Sequence, residues 1–140
     1  MAFIWDTLKM IPGLGKMFRI MELLTKITAE LVSIQCTLVK MQKKASGSVS
    51  VAIISAIGAV AGAITAVAAA TADPEPVTKF ALVVSAITAI VLALVAIAAI
   101  FDVIEANDQA DKLEREMAEL REEQGKLNDL VRELKREFGL

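Results

Sequence analysis

Residues 45–101 read ASGSVSVAIISAIGAVAGAITAVAAATADPEPVTKFALVVSAITAIVLALVAIAAIF, and this stretch decides the fold. Residues 45–72 carry no charge, and neither do residues 80–101. Each run exceeds the roughly 18 residues that mark a candidate membrane span. As helices the two extend about 42 and 33 Å, against a hydrocarbon layer about 30 Å thick. Between them stands Asp73-Pro74-Glu75-Pro76. Two prolines remove backbone donors and restrict the residues before them, so one helix ends near Ala72 and another begins after the turn, with Asp73 or Thr78 as its cap. A connection this short admits only an antiparallel helical hairpin.

The composition of the whole chain fits that reading. Of its 140 residues 56% are hydrophobic and 23% charged, with a formal net charge of −2, and the mean hydropathy is +0.59. The apolar excess is more than one small core hides, so apolar and charged residues must be segregated. Residues 1–45 carry seven Lys/Arg and three acids, residues 46–101 only Lys79, Asp73 and Glu75, and residues 102–140 seven basic and twelve acidic residues. This balance is neither that of a disordered acidic tail nor that of a basic nucleic-acid binder. The start, Met-Ala-Phe-Ile-Trp-Asp, lacks the basic n-region of a signal peptide, so none is expected.

On either side of the hairpin the periodicity changes. Met17, Ile20, Leu24, Ile27, Leu31, Ile34, Leu38 and Met41 are spaced alternately three and four apart. Leu113, Met117, Leu120, Gln124, Leu127, Val131, Leu134 and Phe138 form a second such seam, whose phase runs back through Ala110, Ala106 and Val103. Each is a heptad pattern of coiled-coil type. If the chain folds about residues 74 and 75, Leu38 falls near residues 111–113 and Ile20 near residues 129–131. The basic first arm then faces the acidic second arm, which favours pairing within the chain. The alternative is a parallel coiled coil between chains, for which Gln124 at a core position would set the register. The expected fold is all-α. It is a long antiparallel hairpin of helices of some 55 to 60 residues, about 80 to 90 Å end to end, with a coiled-coil base and an apolar, membrane-spanning tip. Its parts are an amphipathic N-terminal helix (1–15), a first heptad arm (16–44), the transmembrane hairpin (45–101, turn 73–76) and a second heptad arm (102–140).

The two apolar runs differ in composition. The first is built of small residues and holds Gly58-Ala-Val-Ala-Gly62, a GxxxG pattern prolonged by Ser55, Ala59, Ala63 and Ala66, which suits close helix approach inside lipid. The second is rich in Leu and Ile and bracketed by Phe80 and Phe101, which read either as interfacial anchors or as ordinary packing residues. Lys40, Lys43 and Lys44 flank the first run, which by the positive-inside tendency puts both termini on the cytoplasmic side if the chain is inserted during synthesis. Phe3, Ile4, Leu8 and Ile11, with Trp5 beside them, recur at helical spacing before Pro12-Gly13-Leu14-Gly15. They describe a short helix that lies either in the membrane interface or over the base of the bundle.

Little catalytic chemistry is available. There is no His and one Cys, which removes imidazole catalysis, His or multi-Cys metal sites and an intrachain disulfide. Gly13-Leu14-Gly15-Lys16 lacks the spacing and preceding strand of a phosphate loop. Glu114, Glu119, Glu122, Glu123 and Glu133 lie off the seam among basic residues and read as a solvated flank. Cys36 reads as an inert thiol beside the seam. No catalytic residue, metal or cofactor is expected, and an enzyme is not. If a pore exists, the candidates for its polar lining are Ser48, Ser55, Thr65, Ser85 and Thr88 of the apolar runs.

The leaderless start, the long amphipathic helices and the Ala/Gly/Val-rich run ending at Ala72 make the chain resemble α-helical pore-forming proteins of the cytolysin A type. The likeness is one of pattern, and members of that family are longer and have more helices. The closely spaced hydrophobic pair with coiled-coil arms also resembles two-span bilobed proteins such as bacterial inclusion-membrane proteins. The first resemblance implies a hairpin, exported without a signal peptide or held ready, that enters a target bilayer and assembles with copies of itself into a pore or channel. The second implies a constitutive two-span membrane protein whose arms scaffold or tether a coiled-coil partner.

Overall fold

The computed structural model describes residues 14–105 and 107–137. The N-terminal helix expected over 1–15, with Trp5, lies almost wholly outside the described residues, as do Ala106 and Phe138. Among the described residues four helices follow one another: α1 (Leu14–Gln42), α2 (Gly47–Ala72), α3 (Pro76–Phe101) and α4 (Asp108–Glu137). The all-α class is as the sequence indicates, and α2 and α3 form the antiparallel hairpin.

The turn of that hairpin is built locally. Asp73 N–H donates to the Ala69 carbonyl, and Asp73 Oδ1 accepts from Glu75 N–H at 2.8 Å. Pro76 opens α3, where its missing N–H costs nothing. Glu75 is the N-cap residue and makes no side-chain cap bond, so Asp73 closes the turn instead of capping α3.

The ends of the hairpin differ from the continuous helices that the seams suggest. Helix α1 stops at Gln42, where Lys44 and Ala45 N–H groups bond back to Met41 and Gln42 carbonyls. Gly47 then takes φ +62°, which the absence of a Cβ makes cheap. At the other link, Asp102, Val103 and Ile104 N–H groups bond back to Ala99 and Ile100 carbonyls, and Asn107 Oδ1 caps α4 by accepting from Ala110 N–H at 2.9 Å. Val103 is exposed, so the second seam starts at Ala110.

Both arms therefore fold back along the hairpin. Gln35 Nε2 donates to the Ile57 carbonyl at 3.1 Å and Gln42 Nε2 to Ser50 Oγ at 2.8 Å, so as one index rises the other falls and α1 runs antiparallel to α2. Thr37 Oγ1 meets Glu116 Oε1 at 2.7 Å and Lys26 meets Glu123 at 3.0 Å, which sets α1 antiparallel to α4 within the chain. The result is an up-down-up-down four-helix bundle of helices roughly 39 to 45 Å long, half the length of the extended hairpin. The driving force is burial. In an extended hairpin the inner faces of α2 and α3 would meet only each other, whereas here all four seams share one core.

That core is continuous. Ile20, Leu24, Ile27, Leu31, Ile34 and Leu38 of α1 are fully buried, as are Leu113, Leu120, Leu127 and Leu134 of α4, with Val131 nearly so. Met117 and Gln124 are half-buried. Helix α2 contributes Ile53, Ala56, Val60, Ala63, Val67 and Ala70, a third heptad seam in which every second residue is alanine. Helix α3 contributes Val83, Ala86, Ile90, Ala93, Ile97 and Ile100. Folding back also puts both ends of the described chain beside the turn: Lys16 pairs with Glu133 and Glu137, and Lys79 Nζ lies 3.4 Å from Met21 Sδ. Lys40, Lys43 and Lys44 stand at the opposite end of the bundle from Lys16 and Glu137.

Candidate membrane face

Since α1 and α4 cover only one side of the hairpin, the other side of α2 and α3 is left open. On it stand Val51, Ile54, Ser55, Gly58, Gly62 and Thr65 of α2, and Val77, Val84, Ser85, Thr88, Leu92 and Val95 of α3, all exposed. Val77 is 78% exposed, Val95 63% and Leu92 61%. A core helix of a soluble protein is mostly buried. Here only 28% of the most apolar stretch of Gly47–Ala72 and 33% of that of Val77–Phe101 is buried inside the chain. Both helices are long and apolar enough to cross a membrane, and their outer face is one continuous uncharged surface.

The two threonines of this surface are satisfied by their own helices. Thr65 Oγ1 donates to the Ala61 carbonyl at 3.0 Å and Thr88 Oγ1 to the Val84 carbonyl at 3.3 Å. A hydroxyl paired to the turn before it can face hydrocarbon at low cost. The five candidate lining residues, Ser48, Ser55, Thr65, Ser85 and Thr88, are all exposed on the outside of α2 and α3. They do not converge on an axis within one chain.

Of the small-residue set, Ala59 and Ala66 are half-buried against the core. Ser55, Gly58 and Gly62 point outward, and a Cβ built on either glycine meets nothing within 4 Å. Contacts inside the bundle thus use the Ile/Val/Ala seam, and Gly58 and Gly62 take no part in them. Phe80 and Phe101 are half-buried and pack on the core at opposite ends of α3.

The single cation of the hairpin has a local task. Lys79 Nζ donates to the Ala70 carbonyl at 3.0 Å and the Thr71 carbonyl at 3.1 Å, closing the C-terminal turn of α2 from the first turn of α3. Nothing in a heptad reading signals this, because it depends on where the turn lands Lys79.

The opposite side of the bundle is polar. Exposed charges run the length of α4, including Lys112, Arg115, Glu119, Arg121, Lys126 and Arg132. Between α1 and α4 lies a layer of polar contacts. Glu116 accepts from Ser33 Oγ and Thr37 Oγ1, and Thr37 is fully buried. Glu123 is only 4% exposed. It is no solvated flank residue: Lys26 Nζ at 3.0 Å and Lys126 Nζ at 3.7 Å hold one of its oxygens, while Oε2 has no partner. Glu30, also with an unpartnered Oε2, has its carboxyl pushed up to about 6, first by burial and then by the charges of Glu123 and Glu119, against the pull of Lys26. Glu114, Glu119, Glu122 and Glu133 are exposed, as is the free thiol of Cys36.

Comparison with protein families, with curated proteins and with solved structures gave no match to the chain.

Proposed function

We propose that the chain is a membrane protein whose α2 and α3 cross a bilayer, and whose copies associate into a transmembrane pore. The observation that carries this is the division of the bundle lengthwise into an uncharged α2–α3 face and a charged α4 face. Uncharged faces of this extent are rare on soluble monomers. Helices of 26 residues match the bilayer in length. Charges on α1 and α4 need water, and a ring of bundles with α2 and α3 toward lipid supplies it in a central lumen. On this arrangement α4 lines the lumen, and Ser85 and Thr88 of α3 face lipid. The outward glycines of α2 are the contact between copies.

The test is release of dye from loaded liposomes by the full chain. In a Cys36→Ser background, Ala118→Cys places one thiol on the exposed face of α4. A charged, membrane-impermeant thiol reagent should then lower the release rate. Release that the reagent leaves unchanged would remove α4 from the lumen, and intact liposomes carrying inserted protein would sink the pore.

A second reading is a two-span protein whose arms leave the membrane and tether a partner. It is favoured by one feature: the links 43–46 and 102–107 lie at the same end, so α1 and α4 can swing away together without breaking their mutual contacts. On that reading the vesicles stay sealed, and the thiol at position 118 is labelled from the side of the arms.

A further inference from the structure

Where the two links meet, the bundle has a cleft of about 650 Å³, lined by Lys40, Lys43 and Lys44 and, among others, by Ile53, Ile104 and Asp108. We infer that this cleft binds the phosphate headgroup of an anionic phospholipid, an inference that rests on the membrane reading above.

Three observations converge on it. Lys40 lies in the last turn of α1 and Lys43 and Lys44 directly after its end; all three line the cleft, and all are exposed. None has a carboxylate within ion-pair distance among the described residues, whereas Lys16, Lys26 and Lys126 all do. Second, the first turn of α2 is open: its N-cap Ser46 makes no side-chain cap bond, and Ala45 and Val49, which bracket that turn, both line the cleft. Its free N–H groups and the positive end of the helix add to the lysines. The first turn of α4 beside it is capped by Asn107 and offers less.

Third, the floor is apolar. Ile53 is fully buried, and Val49 and Ile104 are half-buried. A free anion has no use for such a floor. A phospholipid does, because its headgroup carries the phosphate while its glycerol and first methylenes lie against apolar side chains. The depth agrees as well, since the cleft is level with the ends of α2 and α3, where a spanning hairpin leaves the hydrocarbon. Basic pockets between spanning helices at this depth select anionic headgroups. Asp108 is the one acid of the lining and limits the affinity.

The full chain is reconstituted into vesicles of phosphatidylcholine alone and of phosphatidylcholine with phosphatidylglycerol, then extracted in mild detergent. Lipids retained per chain are counted by native mass spectrometry. Phosphatidylglycerol should be retained in preference, and each Lys→Gln change at residues 40, 43 and 44 should lower its retention by about fivefold. Asp108→Asn should raise it, while Arg132→Gln with Lys135→Gln, at the far end of α4, should leave it unchanged. Equal retention of the two lipids, or equal loss in the far-end variant, overturns the site while leaving the membrane reading intact. Displacement of the lipid by millimolar inorganic phosphate overturns the lipid as occupant and makes the site one for a free anion. Failure to recover the chain with either kind of vesicle overturns the membrane reading, and the site with it.

Discussion

Lys26 Nζ stands 3.0 Å from Glu123 Oε1, joining the middle of α1 to the middle of α4. The pair is lopsided, for the lysine is largely in water and the carboxylate is buried. The attraction does not itself lend much stability, since a buried carboxylate gives up its hydration to be there. What the lysine does is prevent that loss from standing uncompensated. Lys26→Met should therefore lower the melting temperature of the detergent-solubilised bundle by several degrees. Lys26→Met with Glu123→Leu should return it to the wild-type value or above. A double variant as unstable as the single one would show that the pair contributes more than mutual neutralisation.

Glu30 sets the pH response of the same interface. Its folded-state value of about 6 lies above the ordinary 4.5, so the folded bundle holds a proton that the unfolded chain releases. Stability from this group rises as pH falls through about 6 and levels off near 4.5. Acid thus tightens the α1–α4 contact down to that point. Thermal melts across this range should show the rise in the wild type and lose it in Glu30→Gln, which should also be the more stable protein at neutral pH. Melting temperatures that fall on acidification through this window would contradict the assignment.

The two faces of α2 should respond oppositely to added bulk. Ala63 is fully buried in the shared core, so Ala63→Leu should overpack it and cost about 1 to 3 kcal/mol. At Gly58 an added Cβ meets nothing within 4 Å among the described residues. Gly58→Leu should leave the melting of the bundle unchanged or slightly raised, yet reduce oligomer size by light scattering in detergent. Unchanged oligomers would remove Gly58 from the contact between copies.

Lys79 should be felt at the turn alone. Lys79→Met removes both donors to the Ala70 and Thr71 carbonyls. Amide hydrogen exchange should accelerate over the last turn of α2 and the first of α3, with the middle of both helices unchanged.

Gly47 is the one described residue with positive φ, and space around it is open. Gly47→Ala therefore tests backbone conformation without steric crowding. It should destabilise the bundle by about 1 kcal/mol in chemical denaturation. No effect would mean that the link 43–46 can turn without that conformation.

Much of this fold was legible in the chain because period and charge are local properties. The seams through Leu24 and Leu127 are buried where spacing places them, and Pro74 and Pro76 mark the turn. Pairing of the arms within the chain also followed from their opposite charges. What was not legible is that the arms lie alongside the hairpin. The break at Gly47 is a single φ angle, and the seam of α2 hides among alanines too small to stand out in a run where every residue is apolar. Glu123 was misread for a related reason. One helix alone places it on the flank, and only the width of a four-helix core, with Lys26 arriving across it, makes that position buried. Ser55, Thr65 and Thr88 stand out in the runs as polar residues, but the direction in which they point required all four helices.

The placement of both links at one end has a further consequence for assembly. The α1–α4 layer and the α2–α3 layer of a chain are fastened along one edge only, and the contacts that close them are the same whichever chain supplies them. An opened copy can close on the hairpin of its neighbour, exchanging arms without creating any new surface. The length of the links then decides between a bundle that closes on itself and a chain of swapped copies. Removing residues from 43–46 would push toward the swapped form, because a link too short to turn back still reaches forward.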